Sequence, residues 1–202
     1  LLVAAALAAL FALLAGLVAA GACTGLDQLA VDRWMPGLGH GSDLQEGGLL
    51  AGRGLGEVLV PRFREPADAS AGAALATYVV VLVGATLPSA LIVGGALLVL
   101  ARRGRGALAA TLAIASVMAV AVEVLSKWTL VRPGLHRSGP GGALLPITPF
   151  DSSFPSGHAL RAALIAFCVA LVWPRLRGAL AAWALAVPVL LVVGGWHTPS
   201  DV

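Results

Sequence analysis

The chain has 202 residues, of which 59% are hydrophobic and only 11% charged, and its mean hydropathy is +0.94. Soluble domains carry about a quarter charged residues, so a soluble globular domain is excluded. The formal net charge of +3 gives no case for a nucleic-acid partner. The apolar residues fall into blocks of about twenty, the length that crosses a bilayer as a helix. The expected class is therefore all-α: a polytopic membrane helical bundle forming one domain over 1–202, with five complete helices and a sixth cut off at the end. The first residue is not methionine and the chain stops one residue after Asp201, so both ends are expected to be truncated.

Residues 1–21 form the first apolar block, rich in Ala and Leu. A cleaved signal peptide is the alternative, with Cys23 as a lipid-anchored residue, but Ala-Gly-Ala before Cys23 is a poor lipobox. Cys23 and Cys168 belong to different blocks, so no disulfide is expected between them. No CxxC or Cys/His cluster suggests a metal, and no cofactor is expected.

The loop 24–70 holds Asp27, Asp32, Asp43, Glu46, Glu57, Glu65 and Asp68, most of the acidic residues of the chain. At its start, apolar residues 26, 29, 30, 34 and 35 have helical spacing, which predicts a short interfacial helix with Trp34 at headgroup level. The Gly-rich part, 37–56, follows, and His40 within it reads as a solvated loop histidine.

The later helices are predicted at about 72–101, 107–131, 157–173 and 178–195. Pro88 is expected to kink the first of these, as a bundle tolerates. Residues 132–156 read as a second outer loop, and the sixth helix is expected to begin near Ser200. Arg102, Arg103 and Arg105 sit in one short connection, and Arg175 and Arg177 in the next. The positive-inside rule puts both in the cytoplasm. Loops 24–70 and 132–156 and the end of the chain then lie outside.

That orientation collects three polar groups on the outer face. Lys127 and Arg132-Pro133 have the spacing K-x4-R-P. Pro155-Ser156-Gly157-His158 opens a helix: Ser156 can cap it, and Gly157 lets a ligand approach the backbone where free N–H groups favour an anion. His197-Thr198-Pro199-Ser200-Asp201 has the spacing H-x3-D. Two cations, a helix start and two histidines, one with a carboxylate, make a phosphate site supplied with nucleophile and acid.

Over roughly residues 75–202 this set resembles the type 2 phosphatidic acid phosphatase superfamily of membrane lipid phosphatases, related in fold to vanadium haloperoxidases. The resemblance implies metal-free, two-step phosphoryl transfer. His197 would attack phosphorus and form a phosphohistidine, and Asp201 would hold its tautomer. His158 would protonate the leaving oxygen and then activate water. Lys127, Arg132 and the N–H groups around Ser156 and Gly157 would hold the phosphoryl oxygens. The implied substrate is a lipid phosphate or pyrophosphate in the membrane; the resemblance does not say which, and the oligomeric state stays open. The Ala-, Gly- and Arg-rich usage points to a GC-rich bacterium, hence a plasma membrane with the site on its extracytoplasmic face.

Two departures stand out. The family spacing K-x6-R-P would put the arginine at Gly134 and the proline at Leu135. The third family motif begins Ser-Arg, where this chain has Leu190 and Leu191. Arg161, about one turn deeper than His158 on the same helical face, is a candidate to replace the missing charge; the alternative is that it pairs with Glu123 or snorkels outward. Glu123 is itself four residues before Lys127, the spacing of a helical ion pair. A catalytically weak phospholipid-binding protein of the same fold is the second functional reading, and a transporter or scramblase the third.

Overall fold

A computed structural model describes residues 2–34, 82–132, 134–138, 143–147, 153–193 and 196–202. The Gly-rich segment 37–56, His40, Pro133, Asp151, Ser152 and the predicted helical stretch 72–81 lie outside the described residues. Among the described residues there are six α-helices: α1 (Leu2–Ala19), α2 (Thr24–Trp34), α3 (Thr86–Arg102), α4 (Gly106–Thr129), α5 (Gly157–Val172) and α6 (Arg177–Val193). Two strands, β1 (Leu135–Ser138) and β2 (Leu144–Ile147), lie between α4 and α5.

The apolar blocks become helices because a backbone in lipid must satisfy its own N–H and C=O groups. Gly106–Thr129 and Pro174–Val193 are long and apolar enough to cross a membrane, and Ala8–Ala19 with Thr24–Arg33 makes a third candidate span bent by 69°. Gly21, at φ +76°, takes the left-handed conformation at that bend, where a Cβ would be strained. Thr86–Arg102 and Gly157–Val172 are apolar but shorter. Leu91, Ile114, Val117 and Leu185 point outward, each about two-thirds exposed or more; in a membrane bundle such side chains meet lipid.

Helix α5 packs against α3, α4 and α6. Val93, Ala96 and Leu100 of α3 and Ala109 of α4 form a core with Ile165, Cys168 and Val172 of α5. Nearer the start of α5, Ala162 packs with Val187 and Leu191 of α6. At the arginine-rich end, the Arg103 guanidinium donates to the Val172 carbonyl at 2.7 Å. It thus satisfies one of the acceptors that a helix C-terminus leaves open.

Three expectations change. The predicted kink at Pro88 is absent, because Pro88 falls in the first turn of α3, where no intrahelical N–H bond is lost. The break lies just before it, at residues 83–85. A proline at 88 cannot use the Gly84 carbonyl, four residues back, and Arg161 Nε takes that oxygen at 2.8 Å. Loop 132–156 contains a structured element: β1 and β2 pair antiparallel, with Leu135 opposite Ile147 and His136 opposite Pro146. Gln28 of α2 clamps this hairpin by accepting from His136 N–H at 3.0 Å and donating to His136 C=O at 2.6 Å.

The predicted interfacial helix is α2, with a division of faces that hydropathy did not show. Leu26 and Leu29 are exposed, whereas Asp27, Ala30 and Val31 are buried. Spacing i, i+3, i+4 puts those three on one face, and that face meets β1 and the turn at the end of the chain.

Candidate active site

Ser156 is the N-cap of α5, its hydroxyl accepting from Ala159 N–H at 3.4 Å. Its own N–H donates to the Asp201 carbonyl at 2.7 Å. Ser156 is therefore spent on capping the helix and on joining it to the last turn, and does not offer its N–H to a phosphate as the motif implied.

His197 to Asp201 closes into a 3-10 turn over Pro199–Asp201, with Thr198 as its cap. The expected one-helical-turn spacing is thus realised as a tight turn. His197 Nδ1 lies 3.3 Å from Asp201 Oδ2. The same oxygen accepts from Thr198 N–H at 2.9 Å and from the Ser153 hydroxyl at 2.8 Å, while Oδ1 faces Arg132 Nη1 at 3.2 Å. Burial pushes the Asp201 carboxyl upward. The hydrogen bond and charge of His197, the charge of Arg132 and the Thr198 N–H outweigh it and hold the carboxyl below its ordinary range.

Arg132 sits against the final turn. It is buried, and its guanidinium bonds to Asp27 at 3.2 Å, Thr198 Oγ1 at 2.8 Å, Ser200 Oγ at 3.1 Å and Ser153 Oγ at 3.1 Å, besides Asp201.

The other polar group sits across the start of α5. Buried Glu123 receives Lys127 Nζ on Oε1 and Arg161 Nη1 on Oε2, each at 2.8 Å. The Glu123–Lys127 pair and the Glu123–Arg161 pair therefore meet in one triad. Gly157 is packed from the side: a Cβ there would collide with the Glu123 carboxylate and with Arg161 Nη2. Its missing side chain makes room for this ion triad. His158 stands within electrostatic reach of Arg161, His197 and Lys127, so the helix start links the two polar groups. Leu191, at the position of the absent family arginine, is fully buried against Ala162 and Val187, and its carbonyl accepts from the N–H groups of Trp196 and His197.

Residues 106–202 match the family model of the PAP2 superfamily. The matched segment is just under half of the chain. Compared with the curated proteins and with the solved structures, the chain has no significant match. The PAP2 match spans α4 to the final turn and so contains Lys127, Arg132, the Ser156–His158 helix start and His197–Asp201, all residues of the site. It points to chemistry on phosphate esters in a membrane protein.

Sequence reasoning missed Asp27, which lies outside the PAP2 segment. Its Oδ1 accepts from Ser200 N–H at 3.0 Å and its Oδ2 from the Ser200 hydroxyl at 2.6 Å. The signal was available: an acidic residue in helical register with Ala30 and Val31 in a helix whose other apolar residues face outward.

Proposed function

We propose that this protein is a membrane phosphatase that hydrolyses a lipid phosphate or pyrophosphate monoester at the outer leaflet through a phosphohistidine. The observation that carries the reading is His197 held by Asp201, with the Asp201 carbonyl in turn bonded to Ser156, the N-cap of α5. An imidazole whose Nδ1 proton goes to a carboxylate keeps its Nε2 lone pair for attack. His197 Nε2 forms the bond to phosphorus as the P–O bond to the lipid breaks, and His158 gives its proton to the departing oxygen. Water then attacks phosphorus, His158 accepts the proton, and the P–N bond breaks to release phosphate. Lys127, Arg161 and the first turn of α5 supply charge and donors to the phosphoryl oxygens, the main requirement of this chemistry. No metal takes part in these steps.

The arginine-rich connections at the far end of the bundle support an outward-facing site. Helix α5, with 16 residues, is only about 24 Å long, shorter than the ~30 Å hydrocarbon core. Its polar start would then be recessed toward the lipid, which suits a substrate whose tail stays in the bilayer.

One observation favours the second reading, a catalytically weak phospholipid-binding protein: Arg132 and Arg161 both already hold carboxylates, and Leu191 replaces a third cation. Phosphate release from a panel of lipid phosphates, with chelator present, separates the two. Release by the wild type that disappears in His197→Ala is expected. Binding without release selects the second reading, and loss of activity with chelator overturns the metal-free steps.

A further inference from the structure

We propose that Asp27 is a positioning residue for His197, acting through Arg132 and Asp201. For its catalytic consequence this rests on the phosphatase reading above; its structural consequence does not.

Asp27 and Asp201 share one guanidinium. Arg132 Nη1 lies 3.2 Å from Asp27 Oδ2 and 3.2 Å from Asp201 Oδ1. All three side chains are at least nine-tenths buried, so their interactions are weakly screened. Asp27 also grips the turn directly through the backbone N–H and the hydroxyl of Ser200. The carboxylate of α2 thus fixes both the turn that carries Asp201 and the cation that faces it.

The division of labour on Asp201 explains why this matters. Arg132 Nη1 faces Oδ1 as a charge contact at 3.2 Å, while Oδ2 accepts from Thr198 and Ser153 and lies 3.3 Å from His197 Nδ1. Removing the Asp27 charge leaves Asp201 as the carboxylate facing Arg132 among the described residues. The guanidinium then closes on Asp201 and competes with the imidazole for it. His197 loses the acceptor that keeps its proton on Nδ1, and the two neutral tautomers mix. Asp27 touches neither substrate nor His197, so its effect falls on orientation and not on ground-state phosphate binding.

The test is ¹⁵N-histidine NMR of the whole chain in detergent micelles, with the His197 signals assigned by their loss in His197→Ala. The wild type is expected to show the Nδ1–H tautomer and Asp27→Asn a mixture, while Asp32→Asn, the same charge change at an exposed position of α2, shows the wild-type pattern. In parallel, vanadate, which adopts the five-coordinate geometry only against a correctly aimed histidine, should bind Asp27→Asn about tenfold more weakly, with inorganic phosphate affinity nearly unchanged. A merely structural role would lower thermal stability and leave the tautomer of folded molecules as it was. If Asp27→Asn does not fold, Ser200→Ala, which removes the hydroxyl between Asp27 and Arg132, carries the same test with a smaller shift. An unchanged His197 tautomer in the folded variant overturns the proposal whatever the activity. A shifted tautomer in a protein that neither releases phosphate nor binds vanadate supports the positioning role and overturns the phosphatase reading instead.

Discussion

The Ser156 N–H donates to the Asp201 carbonyl at 2.7 Å, so the start of α5 and the final turn are one structural unit. Two motifs 45 residues apart in sequence are joined by a backbone bond that no side-chain substitution removes directly. The consequence is that the backbones carrying His158 and His197 are tied together, while the aim of the His197 ring is left to its contact with Asp201.

Asp201→Asn tests the carboxylate. An amide can present its N–H₂ to His197 and favour the wrong tautomer, and turnover should fall by about 10²–10⁴-fold. The pH dependence has a definite sign. The folded carboxyl is held below its ordinary value, so its contribution to stability is complete above the unfolded pKa of about 4. It is lost as pH falls through the folded value. Thermal unfolding in detergent should separate wild type from Asp201→Asn at pH 6–7 and bring them together in strong acid; a gap that widens on acidification would contradict the assignment.

Gly157→Ala tests the packing of the ion triad. The added methyl meets the Glu123 carboxylate and Arg161, and overpacking of this kind costs about 1–3 kcal/mol. Combined with Glu123→Ala, the two losses should be clearly less than additive, since the second change removes the atoms struck by the first. Additive losses in a double-mutant cycle would mean that the backbone relaxes elsewhere.

Arg132 and Arg161 should separate into different phenotypes. Arg132→Ala strands two buried carboxylates, Asp27 and Asp201, and should destabilise by about 3–5 kcal/mol. Arg161→Ala leaves Glu123 its bond to Lys127. It should cost less stability but lower kcat/KM by about 10²-fold if Arg161 holds the phosphoryl group. Arg161→Lys should recover only part, because the fork to Glu123 and the Gly84 carbonyl needs a guanidinium. Wild-type turnover in both Arg161 variants would remove Arg161 from the phosphate site.

Composition and hydropathy by themselves determined that the chain is a helical membrane protein. Charge placement organised the motifs onto one end, and motif order pointed to the superfamily. These features are local: an apolar run of twenty residues becomes a helix in lipid whatever surrounds it. The same locality made the Glu123–Lys127 pair legible from its spacing. Only the tertiary structure decided what each cation faces. Arg132 looked like a phosphate ligand by its motif, yet it is buried against Asp27, 105 positions away in sequence. Gly157 looked like an opening for a ligand, yet the Glu123 carboxylate fills the space beside it. Asp27 looked like one more acidic residue of an outer loop. Burial and charge pairing depend on which side chains the fold brings within a few ångströms, and that distance is a property of the packed chain.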